Sequence, residues 1–209
     1  MIKILIADDH AMVREGLIQI LHEEFPDAEI GEASNGNELV KKAKAASWDI
    51  IICDLSMPGR GGLEALRELK EVCPKIPVLV LSMYAEEQYA LRVLKAGARG
   101  YLTKESASDE LVKAIHLIMN GKKYISEAVA EKLAEQIDMG FSSLPHESLS
   151  DREFDVLKMI AAGKTISQIA DILSVSPNTV STYRARLLSK MNIKTNAELI
   201  HYVIANNLV

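Results

Sequence analysis

Trp48-Asp-Ile-Ile-Ile-Cys-Asp54-Leu-Ser-Met-Pro-Gly59 runs from apolar, β-branched residues into a carboxylate and then a turn. Bounded by the Pro-Gly pair, the run predicts a buried strand of a parallel sheet. In open α/β sheets chemistry gathers just beyond the carboxyl ends of the strands, which is where Asp54 falls. A carboxylate there is costly unless its charge is compensated. A second apolar run, Ile2-Lys-Ile-Leu-Ile-Ala7, ends in Asp8 and Asp9. Three carboxylates brought to one sheet edge repel one another unless they share a cation. Such a set is the composition of a Mg²⁺ site, where a hard ion takes oxygen ligands and keeps several waters.

The 209 residues suit one large or two modest domains, and 48% apolar with 25% charged residues is ordinary for a soluble globular chain. No apolar stretch approaches the ~18 residues of a membrane span, so no membrane partner is expected. Asp8 and Asp9 come too early for a signal peptide. Cys53 and Cys73 lie far apart with no Cys-x-x-Cys pair, which argues against a disulfide framework or a zinc site and for a reducing, cytoplasmic compartment. Charge is uneven: residues 1–138 carry 17 Lys+Arg against 23 Asp+Glu, net −6, and residues 139–209 carry 7 against 6, net +1. Between 177 and 190 the chain holds Arg184, Arg186 and Lys190 and no acid. The imbalance predicts two domains with different partners.

The first part alternates strand and helix. Strands are predicted at 2–7, 29–33, 49–53, 77–82 and 100–102, with helices near 12–23, 36–46, 62–72, 86–96 and 107–119. Val13, Leu17, Ile20 and Leu21 have the spacing of one buried helix face, and Asn35 with Glu38 that of a capping box. This order predicts a doubly wound, parallel five-stranded α/β sheet with helices on both faces. Val129, Leu133 and Ile137 suggest a short connecting helix over 126–138, and the Gly-, Ser- and Pro-containing stretch 139–148 reads as a flexible linker. The expected division is 1–121, a joining segment 122–148, and 149–209.

The last part is all helix by pattern. Ser150 with Glu153, Thr165 with Gln168, and Thr195 with Glu198 mark helix starts, and Ser176-Pro177 supplies an N-cap followed by Pro at the first helical position. Leu173-Ser-Val-Ser-Pro177 is a tight connection between two short helices, the second of them basic. That describes a helix-turn-helix with its recognition helix at about 177–190. A four-helix packing module with a solvated basic face fits the composition about as well.

Taken in order, the motifs resemble a two-component response regulator of the NarL/FixJ type, a receiver domain joined to a LuxR-type helix-turn-helix. The receiver marks are Asp8-Asp9, Asp54, Met57-Pro58-Gly59, Ser82, Tyr101 and Lys104; the DNA-binding marks are Leu149-Ser-Asp-Arg-Glu153, Ile169-Ala170, Thr179-Val180, Arg184 and Lys190. The resemblance implies a bacterial, cytoplasmic transcription regulator rather than a turnover enzyme. Asp54 would accept a phosphoryl group from a sensor histidine kinase. Asp8, Asp9, Asp54 and the Ser56 backbone carbonyl would hold Mg²⁺, directly or through water. Lys104 would offer a positive charge to the phosphoryl group, and Ser82 and Tyr101 would form the switch. Duller readings stand beside these: Asp8 and Asp9 as helix caps, Lys104 as a surface lysine, Tyr101 as packing. The five histidines show no ligand spacing.

On the second domain the resemblance implies binding to double-stranded promoter DNA. Arg184, Arg186 and Lys190 are the expected phosphate or base contacts, and Asn178, Thr179, Ser181 and Thr182 lie in the first turns, where a recognition helix meets base edges. Arg184 and Arg186 are about 200° apart on a helix, so they cannot both face one groove wall. The chain departs from the family at Ile166 (usually Asn), Ser181 (usually Lys) and Tyr183 (usually His). Losing the Lys removes one phosphate contact and predicts modest binding by a monomer; the Tyr183 hydroxyl can still donate to phosphate. Val180, Leu187, Leu188 and Met191 are expected in the core. Leu199, Ile200, Val203 and Ile204 form two apolar stripes, and the resemblance implies a homodimer built on them.

Two rival chemistries are weak. A haloacid-dehalogenase-like phosphatase needs a second Asp two residues after the nucleophile, and that position is Ser56. A nucleotide-binding module needs a Gly-rich phosphate loop after the first strand, and none is there. A receiver whose last domain makes only protein contacts is opposed by the acid-free helix.

Overall fold

A computed structural model describes the chain except for residues 59, 85, 128, 132, 133, 135–143, 207 and 209 and the side chains of Glu87, Gln88 and Glu147. Leu133, Ile137 and residues 139–143 of the expected linker therefore lie outside the described residues. The chain divides into two compact units, Met1–Phe141 and Ser142–Val209.

The first unit is a five-stranded parallel sheet in the order β2-β1-β3-β4-β5, with β1 Lys3–Ala7, β2 Glu29–Ala33, β3 Ile50–Asp54, β4 Val78–Ser82 and β5 Gly100–Thr103. The helices between and after the strands are α1 Ala11–Glu24, α2 Gly36–Ala45, α3 Gly62–Val72, α4 Glu86–Ala96 and α5 Ala107–Met119. β3 and β4 are buried at every residue, as continuous Val/Ile/Leu runs demand of strands covered on both faces. Alternation then sorts their side chains. Ile4, Ile6, Ile50, Ile52, Leu79 and Leu81 pack with Leu17 and Leu21 of α1 and Leu111, Ile115 and Ile118 of α5. Each such side chain stabilises the fold by roughly 1.5–3 kcal/mol on burial. Val13 and Ile20 only flank this cluster, because a 14-residue helix on a flat sheet buries one narrow stripe.

Register sets the site. Ala7 lies beside Cys53 and Asp54 beside Leu81, so β1, β3 and β4 end level with one another. α3 then docks tightly on the end of β3: a Cβ at Gly62 would collide with the Asp54 carbonyl and Leu55 Cα, and the Gly62 amide donates to the Leu55 carbonyl at 2.9 Å. Beyond α5, Tyr124 bridges to Gly100 at the free edge of β5.

The second unit contains helices α6 Asp151–Ala161, α7 Ile166–Leu173, α8 Pro177–Met191 and α9 Asn196–Ala205, preceded by a 3₁₀ turn at Pro145–Ser148. Ser150–Glu153 and Thr165–Gln168 form complete capping boxes. Thr195 caps the Glu198 amide, but the Glu198 carboxylate reaches one residue further back, to the Lys194 N–H. Glu38 does the same in α2, accepting from the Ser34 N–H and hydroxyl while Asn35 takes its amide. The 3₁₀ turn belongs to this packing: His146 is buried and bonds the Tyr202 hydroxyl at 2.8 Å. Between α7 and α8, Ser174 takes the left-handed conformation (φ 52°) and the Val175 amide returns to the Ala170 carbonyl, which makes the sharp turn.

Candidate functional site: an acidic pocket and a basic helix

At the carboxyl end of the sheet, Asp54 is 2% and Asp8 1% exposed. One ligand atom from each of Asp8, Asp9, His10 and Asp54 lies within 4.8 Å of the others. At that separation two carboxylates repel by roughly 3 kcal/mol at an effective dielectric near 20, so the pocket needs positive charge. Lys104 supplies part of it from the loop after β5, with Nζ 3.0 Å from Asp54 Oδ2 and 2.5 Å from Asp8 Oδ2. The Lys104 N–H donates to the Ser82 carbonyl at 2.8 Å, so the end of β4 holds the lysine in place. Burial alone would push the Lys104 ammonium down, but bonding to Asp8 and Asp54 carries it above the usual lysine value.

Lys104 does not neutralise the pocket. Burial, reinforced by the Asp8 charge, pushes the Asp54 carboxyl up despite Lys104 and the Ser56 amide. Three carboxylates converge on the one Lys104 ammonium, which meets Asp8 Oδ2 and Asp54 Oδ2 and leaves Asp9 to the His10 ring. Convergent carboxylate oxygens in excess of the nearby cations are what a divalent metal completes, so the donor set fits one. Asp8 and Asp9 are not helix caps, since the N-cap of α1 is His10 and no side chain caps it. Instead Asp8 Oδ1 accepts from the His10 N–H at 2.8 Å.

Ser82 and Tyr101 are buried and meet through a residue absent from the sequence reading. Ser82 Oγ accepts from the Tyr84 N–H at 3.3 Å, and the Tyr101 hydroxyl donates to the Tyr84 carbonyl at 2.8 Å. Tyr84 also stacks on Tyr89 of α4, ring centroids 4.3 Å apart. No spacing rule marks Tyr84, because its role is carried by backbone atoms. His10 was missed for a different reason. Its Nδ1 stands 3.0 Å from Asp9 Oδ1 and 3.2 Å from Asp8 Oδ1, and adjacency to Asp8-Asp9 was the available signal.

In the second unit α8 buries Val180, Leu187 and Met191, half-buries Leu188 and turns Asn178, Ser181, Thr182 and Arg186 to solvent. The cations are not equivalent. Lys190 Nζ bonds Glu153 of α6 at 2.6 Å, and Glu153 is 3% exposed, so this ammonium ties two helices together. Arg184 Nε donates to Asn196 at the start of α9 at 2.9 Å. Arg186 makes no ion pair among the described residues. Thr179 is spent on the cap, its hydroxyl 2.8 Å from that of Ser176, and the Thr182 hydroxyl donates to the Asn178 carbonyl. Tyr183 is half-buried. In α9 the expected dimer stripe divides: Leu199 and Val203 are fully buried, which corrects their assignment as surface contacts, while Ile204 is 64% exposed. An i, i+4 pair on a helix packed against α6 is core, and only Ile200 and Ile204 lie on the flank.

Comparison with known proteins gives the same division. The model of the response regulator receiver domain matches residues 4–116, and that of the luxR family of bacterial regulatory proteins matches residues 147–203. Response regulator UvrY of Escherichia coli is 38% identical over 209 residues, covering 100% of this chain and 96% of that protein. Response regulator GacA of Pseudomonas aeruginosa is 37% identical over 210 residues, covering 100% and 98%. Among solved structures, RcsB of Salmonella enterica serovar Typhimurium, bound to promoter P1flhDC in the presence of the phosphomimetic BeF₃⁻, aligns with a TM-score of 0.59 at 28% identity over 97% of each chain. Among the described residues no helix is long and apolar enough to cross a membrane. A phosphate-accepting receiver fold carrying this acidic pocket, joined in one chain to a LuxR-type helix-turn-helix, makes the protein a response regulator of the NarL/FixJ type, a phosphorylation-dependent DNA-binding transcription regulator.

Proposed function

We propose that Asp54 is the phosphoacceptor. The observation that carries this is a carboxylate only 2% exposed at the end of β3, converging with Asp8 and Asp9 and with its Oδ2 held 3.0 Å from Lys104. A carboxylate oxygen of Asp54 attacks phosphorus as the bond from phosphorus to the kinase histidine nitrogen breaks, leaving an acyl phosphate on Asp54. Asp8, Asp9, Asp54 and the Ser56 carbonyl would hold Mg²⁺, which when bound offsets charge developing on the transferring oxygens. Lys104 holds the same region positive and is free to follow a phosphoryl oxygen away from Asp8.

The Ser82 hydroxyl then turns toward the phosphoryl group and gives up the Tyr84 amide. Because the Tyr84 carbonyl is bonded to Tyr101, that local charge event is passed to α4 and β5. Residues 1–121 act as the receiver, 149–209 bind promoter DNA, and 122–148 join them. Asn178, Ser181 and Thr182 face base edges and Arg186 a phosphate, with Thr179, Tyr183, Arg184 and Lys190 supporting the helix that presents them. Phosphorylation favours a homodimer in which Ile200 and Ile204 contribute contact. The protein works in the bacterial cytoplasm, where a histidine kinase can reach it.

Intact-mass analysis after incubation with a small acyl phosphate donor and Mg²⁺ tests the core of this. The parent protein should gain one phosphoryl group and Asp54→Asn none. Gain by neither would make control by another input the better account.

A further inference from the structure

Resting on the phosphoacceptor reading above, we infer that Tyr124 latches the first residues of the joining segment to the free edge of β5, and that phosphorylation of Asp54 loosens this latch. With Ser82 on the Tyr84 amide the start of the segment belongs to the receiver. Once the switch has moved, it is released.

The contacts of the latch all lie within the first unit. The Tyr124 N–H donates to the Arg99 carbonyl at 2.9 Å, and Tyr124 forms a parallel bridge with Gly100. The two backbones run so close that a Cβ on Gly100 would stand 3.0 Å from the Tyr124 Cβ and 3.1 Å from its carbonyl oxygen. Tyr124 is 9% exposed and packs into the apolar cluster shared with α1 and α5. Its hydroxyl bonds Glu110 in the first turn of α5; burial first, and then that bond, hold it above the usual tyrosine value. Two residues on, Ser126 starts the joining helix. Its hydroxyl accepts from the Val129 N–H at 3.3 Å and its carbonyl from the Ala130 N–H at 3.0 Å, and Val129 is buried. The place where that helix begins is therefore fixed by one tyrosine on a sheet edge.

The same edge carries the switch. Tyr101 follows Gly100 directly, and its hydroxyl holds the Tyr84 carbonyl at 2.8 Å. A cleft of about 500 Å³ lined by Glu86, Tyr101, Glu110 and Tyr124, among others, joins the two tyrosines. When Ser82 gives up the Tyr84 amide, the Tyr84 carbonyl moves, and Tyr101 draws β5 after it. β5 is held on one side by a ladder of four residue pairs with β4 and on the other by the single Tyr124 bridge. Strain shared between a ladder and one bridge opens the bridge first, because local opening starts where the fewest contacts must break. The alternative is that Tyr124 only seals the edge of the sheet against other strands, and then phosphorylation leaves it in place.

Hydrogen–deuterium exchange of the full-length protein, read by mass spectrometry with and without a small acyl phosphate donor and Mg²⁺, separates these. Intact mass of the same samples counts the phosphoryl groups gained. Exchange in the peptide spanning 122–130 should rise about 10-fold on phosphorylation, with β1 and β3 unchanged and no rise in Asp54→Asn. Tyr124→Phe removes the Glu110 bond and keeps the ring. It should gain the phosphoryl group at the parental rate, yet exchange faster over 122–130 before phosphorylation. Its ratio of affinities for a nonspecific DNA duplex, phosphorylated over unphosphorylated, should fall several-fold. The arm on the parent needs no variant, so the test survives a poorly folding one. A phosphorylated parent whose 122–130 exchange is unchanged or slower, a rise shared by Asp54→Asn, or a Tyr124→Phe with the parental affinity ratio overturns the inference and leaves the phosphoacceptor reading intact. No phosphoryl gain by the parent overturns both.

Discussion

Asp54 is placed at a cost to the fold. Its carboxyl is raised mainly by burial, so the folded state holds its proton more readily than the unfolded one. Stability therefore declines as pH rises from the unfolded value near 3.9 through the raised folded value, and ionised Asp54 is a net destabiliser at pH 7. Asp54→Asn should raise the unfolding midpoint at pH 7 by a few degrees, given that ~1 kcal/mol shifts a domain of this size by roughly 4 °C. Near pH 4 the advantage should shrink toward zero. Added Mg²⁺ should restore the parent, by ~1.4 kcal/mol at ten times its dissociation constant, and leave the variant unmoved. Calorimetry at the two pH values with and without Mg²⁺ checks all of this, and a variant less stable than the parent at pH 7 would contradict the electrostatic picture.

Two helices carry the next tests. α3 starts against the end of β3 with no room for a Cβ at Gly62, where the obstacles are backbone atoms of Asp54 and Leu55. Gly62→Ala must push that backbone aside, so it should cost about 1–3 kcal/mol and slow phosphorylation of Asp54 as well. Unchanged phosphorylation in a destabilised variant would show that α3 does not position the carboxylate. In α8 the cations should separate by assay. Arg186→Ala should leave thermal stability alone, weaken binding uniformly across DNA sequences and lower the salt slope by about one. Lys190 pairs with a buried Glu153 but is itself 42% exposed. Lys190→Ala should therefore lower stability by about 1 kcal/mol after allowing for solvent screening, with a smaller effect on the slope. The reverse pattern would exchange the two roles.

For the whole molecule the relevant quantity is how many DNA phosphates one complex neutralises. Binding should weaken with salt at a slope of about −0.9 per phosphate contacted. A monomer short of the usual lysine at Ser181 should show a shallow slope. If phosphorylation acts by pairing two chains on DNA, the slope should roughly double on phosphorylation rather than the affinity rising at constant slope. Titrations of phosphorylated protein and of Asp54→Asn at several salt concentrations distinguish these, and equal slopes would exclude pairing as the source of control.

Much of this protein was legible along the chain because the signals were local. Apolar runs of five residues ending in Asp8-Asp9, Asp54 and Ser82 marked three strand ends of one sheet edge, and the boundaries of α3, α4 and α5 fell where periodicity put them. Caps at Ser150, Thr165 and Ser176 did the same for the helical unit. What folding alone decided were pairings between residues remote in sequence or reached through backbone. Lys190 belongs to Glu153, 37 residues away, and Arg184 to Asn196; Ser82 and Tyr101 meet only through main-chain atoms of Tyr84. Leu199 and Val203 share the composition of Ile204, and only the direction in which α9 packs makes two of them core and one surface. Periodicity reports which residues share a face of an element, because it follows from local backbone geometry. Which partner that face meets depends on how the elements are docked, and one strip of sequence does not contain that docking.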